Sequence, residues 1–126
     1  MTDATGLIFD ERTEIDASRI KALVESMGRF AAERLIGRAI EEIDWRLMDA
    51  RGALRNGDVE GFRTAMRHLI PAADAVGLPA ISRVAGDAAD TTAKGDSAAL
   101  GATFARLERL CDGVVPALGE AWAARN

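Results

Sequence analysis

Six apolar residues spaced for a helix constrain this chain more than any other feature. Ile36, Ile40, Ile43, Leu47, Ala50 and Leu54 recur at intervals of 4, 3, 4, 3 and 4. A strand would need a period of two, whereas this spacing lays the side chains along one stripe of an α-helix about five turns long. The same spacing returns in Val59, Phe62, Met66, Leu69, Ala73 and Val76, and again in Leu100, Phe104, Leu107, Cys111, Val114 and Leu118. A shorter segment carries Leu78, Ile81, Ala85 and Ala88 toward Lys94-Gly95. Asn56-Gly57-Asp58 and Lys94-Gly95-Asp96 each supply a turn followed by an aspartate that opens a helix. Asp16 is the predicted N-cap of an earlier helix through Ile20, Leu23 and Val24, which Gly28 ends or bends. Pro116 is expected to kink the last helix or end it early. Four substantial amphipathic helices with short loops predict an all-α fold, an antiparallel four-helix bundle. An additional short N-terminal helix would cover one end. The expectation is a single domain over residues 1–126 that starts with an extended lead over 1–14.

Composition narrows the function classes. One cysteine and one histidine in 126 residues exclude an internal disulfide and a tetrahedral Cys/His zinc cluster. Sixteen basic against twenty acidic side chains give a net charge of −4, which argues against a nucleic-acid partner. No apolar run approaches the ~20 residues of a membrane span. The start MTDATGLIFDERTE is acidic and unlike a signal peptide, so a soluble cytoplasmic protein is expected. No Walker A, G-x-G-x-x-G or G-x-S-x-G loop occurs, and no Glu-x-x-His pair that would suit a di-iron bundle. Glu41, Glu42 and Asp44 read as a solvated helix face. Cys111 falls on an apolar stripe and reads as a buried, inert thiol. Trp45 and Trp122 read as packing lids over the bundle.

The lone histidine is the chemical candidate. At about 100° per residue, His68 lies roughly 130° from the stripe of its own helix, so it is predicted to be exposed. Gly61, Thr64, Ala65, Ala72 and Ala75 share its face, while Glu60, Arg63, Arg67 and Asp74 are displaced to the flank. Solvent-facing helix surfaces normally carry long charged side chains. A smooth strip around an imidazole suits close approach by another protein, or a helix–helix contact within the bundle or a dimer.

These residues resemble histidine-containing phosphotransfer (HPt) domains, whose signature runs His-x-Leu-Lys-Gly, four residues, then Gly. His68, Ile70, Ala72 and Gly77 occupy the matching positions. Leu54-Arg55-Asn56-Gly57-Asp58 resembles the family's turn before the histidine helix, and Ala93-Lys94-Gly95-Asp96 its later turn. Two positions depart from the pattern: Pro71 stands where the family has Lys, and Ala72 where it has Gly. The missing lysine would offset phosphate charge beside the ring, and Arg67 or Arg63 is the available electrostatic substitute. The proline also leaves the Arg67 carbonyl without its backbone donor, and a bend near residues 67–71 is expected.

The resemblance implies a phosphoryl carrier and not a self-sufficient enzyme. His68 would accept the group from one receiver-domain aspartate and pass it to another. The partners implied are response-regulator or hybrid-kinase receiver domains, which bring their own Mg²⁺. The chain itself would need no metal or other cofactor, and would act as a monomer. The implied docking face comprises Gly61, Thr64, Ala65, Arg67, Pro71, Ala72, Ala75 and Gly77. The departures at Pro71 and Ala72 motivate a rival reading, a degenerate module that binds a receiver or dimerises without carrying phosphate.

Overall fold

A computed structural model describes residues 14–125. The extended lead expected over 1–14 therefore lies outside the described residues, except for Glu14. The described chain is all-helical: α1 (Ala17–Met27), α2 (Arg29–Arg55), α3 (Val59–Ala75), α4 (Pro79–Thr91), α5 (Ser97–Asp112) and α6 (Val114–Arg125). A short 3₁₀ turn, Thr92–Lys94, follows α4.

Local chemistry sets the boundaries. The Asp16 side chain accepts from the backbone N–H of Ser18 at 3.1 Å and of Arg19 at 3.3 Å, which opens α1. The Ser18 hydroxyl donates to the same oxygen, and this bond above all holds the Asp16 carboxyl below its usual range. Gly28, at φ 86°, ends α1 outright rather than bending it. Asp58 and Asp96 repeat the capping device, accepting from Gly61 N–H at 2.8 Å and Ala99 N–H at 3.0 Å. Pro79 opens α4 at its first position, where a missing N–H costs nothing.

Each helix packs against its neighbour in sequence. The core joins Ile20 and Leu23 of α1, Ile36, Ile43 and Leu47 of α2, Phe62, Met66 and Leu69 of α3, Ile81 and Val84 of α4, and Phe104, Leu107 and Leu110 of α5. Full burial of such a side chain is worth about 1.5–3 kcal/mol. The Phe62 and Phe104 rings meet edge to face at 5.6 Å. Arg51 of α2 reaches α5, donating from Nε to Glu108 at 3.0 Å. Among the described residues no polar or charged side chain is buried, and no helix is long and apolar enough to cross a membrane.

Two prolines resolve differently. The last predicted helix does end early, but at Gly113, three residues before Pro116. Pro116 becomes the third residue of α6, where backbone donors are unpaired in any case. Pro71 sits within α3, and the helix runs on through it to Ala75.

Candidate functional site

α3 presents His68 on the side opposite its buried residues Phe62, Met66, Leu69 and Ala73, and the imidazole is exposed. Thr64 and Pro71, one turn to either side, are exposed, as is the adjacent Arg67. Ala72 and Ala75 are half-buried.

Three positions of the expected docking face are small for reasons internal to the fold. Ala65 is 2% exposed and packs into the core, so it is not part of a free surface. Gly77 is buried at φ 73°, where a side chain would press on Asp16 and Arg19 of α1. Its carbonyl accepts from Asp16 N–H at 2.8 Å, so it belongs to the α1 junction and not to the surface around His68. Gly61 is half-buried, and a Cβ there would lie 2.8 Å from the Asp58 Cγ, inside the cap of α3.

Of the two arginines available to neutralise charge beside His68, Arg63 is committed elsewhere. It donates to Thr92 Oγ1 at 2.7 Å and pairs with Glu60 at 2.6 Å. Arg67 makes no ion pair among the described residues. Its guanidinium is the one beside His68 that is free to meet an anion.

A groove of about 510 Å³ lies between α2 and α3, on the N-terminal side of His68 along α3. Met48, Asp49 and Gly52 line one wall, Gly61, Thr64 and Ala65 the other, and Thr64 lies one turn before His68. Met48 also borders a shallow depression of about 300 Å³ on the outside of α2, with Glu41, Asp44 and Trp45. Trp45 is 63% exposed, so it is not a lid over the core. The helical wheel gives the same result: Trp45 lies about 180° from the α2 stripe of Ile36 to Leu54.

Two other features carry no such geometry. A second groove, about 480 Å³, is formed by Ile20, Ile36, Ile40, Leu118 and Trp122 where α1, α2 and α6 meet. Trp122 is half-buried there beneath the Arg29 guanidinium, 5.4 Å away. The Cys111 thiol is pushed up to about 12, chiefly by burial and then by the Asp44, Asp112 and Glu108 carboxylates. It stays protonated and unreactive at neutral pH. Comparison with family models, with curated proteins and with solved structures gives no match for this chain.

Proposed function

We propose that this chain is a divergent HPt domain, an antiparallel four-helix bundle that relays a phosphoryl group between receiver-domain aspartates on His68. The observation that carries the reading is an exposed imidazole held mid-helix on a packed element, with Arg67 beside it in sequence and only Thr64, Ala65, Pro71 and Ala72 one turn away on its own helix. In the transfer, a neutral imidazole nitrogen attacks the phosphorus of a partner's aspartyl phosphate. The N–P bond forms as the P–O bond to the carboxylate breaks, and the reverse step delivers the group to a second aspartate. Such chemistry depends on in-line positioning and charge neutralisation. The receiver supplies its Mg²⁺ and its acidic pocket, and Arg67 supplies the cation that Pro71 withholds. The protein would act as a monomer in the cytoplasm.

Incubation with phosphorylated receiver domains is expected to give acid-labile, base-stable label on the wild type and none on His68→Gln. Equal labelling of the two would overturn the reading. Pro71 favours a second reading, a non-catalytic module that binds a receiver without taking its phosphate. Receiver binding that survives His68→Ala, with no label transferred to the wild type, would establish that one.

A further inference from the structure

We propose that the receiver domain meeting His68 also covers the outer face of α2, where Trp45 and Met48 anchor it and the Glu41 and Asp44 carboxylates receive a basic side chain. The inference rests on the receiver-docking reading above and adds a second contact region to it. Trp45 and Met48 are 63% and 56% exposed, one turn apart on a helix whose opposite side is buried in the core. Neither side chain is needed to close that core. Large apolar side chains clustered on a surface mark interaction sites more often than isolated ones do.

Met48 makes this patch continuous with the His68 face. It borders both the outer depression with Trp45 and the groove whose far wall holds Thr64, one turn before His68. A partner seated over His68 and filling the groove therefore meets Met48, the residue the groove shares with the Trp45 depression.

Charge selects the kind of partner. Of the acids on this side of α2, Glu42 and Asp49 are both paired with Arg46, at 2.8 and 3.6 Å. Glu41 and Asp44 have no ion-pair partner among the described residues and flank the indole. An arginine or lysine stacked on an exposed indole between two carboxylates gains cation–π and charge–charge attraction together. A second copy of this chain would bring the same two carboxylates against the first pair, so self-association through this patch is disfavoured. The face is thus polarised, with Arg67 at the phosphoryl end and the carboxylates at the α2 end. That polarity orients a partner whose own acidic pocket must lie over His68.

The test uses the full chain and a purified receiver domain loaded with beryllofluoride as a stable acyl-phosphate mimic. In parallel, phosphoramidate, which phosphorylates imidazole with loss of ammonia and needs no docking, is used to label His68. Trp45→Ala is expected to weaken receiver binding about 30-fold, the effect of a typical interface hot spot, and to leave phosphoramidate labelling unchanged. Charge reversal in Glu41→Lys with Asp44→Lys should weaken it further and reverse its salt dependence. A receiver that binds wild type and the Trp45→Ala, Met48→Ala double variant equally would overturn this surface while leaving the relay intact. Binding lost in Trp45→Ala, with His68 never labelled by receiver or phosphoramidate, would keep the surface and overturn the carrier reading alone. Failure of every receiver tested to bind wild type would overturn both.

Discussion

The two ends of α3 use the same backbone device and build it differently. Gly57, before the helix, and Gly77, after it, both adopt positive φ, 66° and 73°. A Cβ at Gly57 would meet nothing within 4 Å. A Cβ at Gly77 would lie 3.1 Å from the Asp16 carbonyl oxygen and 3.0 Å from Arg19 Cβ. The Gly77 end is also tied to α1 by Asp16 N–H, at 2.8 Å to Gly77 O, and by Arg19 Nε, at 3.1 Å to Ala75 O. One end is a free turn and the other is a three-helix junction. A glycine spaced nine residues after His68 therefore does not mark a surface; here it lets α1 seat on the end of the histidine helix.

The comparison breaks most sharply under alanine. Gly57→Ala carries only the left-handed backbone strain, about 1 kcal/mol. Gly77→Ala adds the displacement of α1, and we expect about 3 kcal/mol of lost stability. Urea unfolding of the two variants measures the difference. Equal losses would mean that α1 yields freely and that the junction does not hold it.

Pro71 lies between the two ends, and its replacement is the next largest expected effect. Its ring nitrogen leaves the Arg67 carbonyl without the usual i+4 donor, and an interior proline costs a helix about 3 kcal/mol against an ordinary residue. The Ser82 hydroxyl of α4 contacts the Ile70 carbonyl at 3.5 Å and the Asp74 carboxylate, so α3 and α4 are held together beside the proline. Pro71→Lys is expected to raise the stability by about 2 kcal/mol, since the surrounding helix is already formed. It would also place a cation one turn from His68, and receiver-to-protein transfer should be at least as fast as in wild type. A variant that loses both stability and transfer would show that the proline's geometry is required.

Residues sharing a stripe were legible in the sequence because periodicity encodes direction directly. The seams of α2, α3 and α4 follow from spacing, except that Val59 at the start of α3 is 44% exposed and Ile40 and Leu54 of α2 are only half-buried, and the Asp16, Asp58 and Asp96 caps follow from turn chemistry. The exposure of His68 followed from the same wheel. The same wheel puts Trp45 off the α2 stripe, and a side chain off the stripe at mid-helix faces outward instead of closing the bundle as a lid. The break at Gly113 was hidden because the apolar spacing continues unbroken from Cys111 to Leu118 across it. The groove between α2 and α3 could not be read at all, since it depends on how the two helices are rotated against each other. Small residues were the most ambiguous signal. Ala65, Gly61 and Gly77 look alike in sequence, yet one fills the core, one admits a cap and one admits another helix.

Gly61 gives the smallest effect and the finest distinction between these roles. Gly61→Ala places a methyl against the Asp58 carboxylate, which must move and weaken a cap worth about 1 kcal/mol. The same change removes a glycine from a helix, which gains about 1 kcal/mol. The two nearly cancel, so the single variant should unfold within about 0.5 kcal/mol of wild type, inside the usual range for such substitutions. Removing the cap first separates the terms. In an Asp58→Ala background nothing obstructs the methyl, and Gly61→Ala should then stabilise by the full propensity gain of about 1 kcal/mol. A double-mutant cycle by urea unfolding reads this coupling. No gain in the uncapped background would mean that something other than Asp58 keeps residue 61 small, and the groove wall it shares with Thr64 would be the place to look.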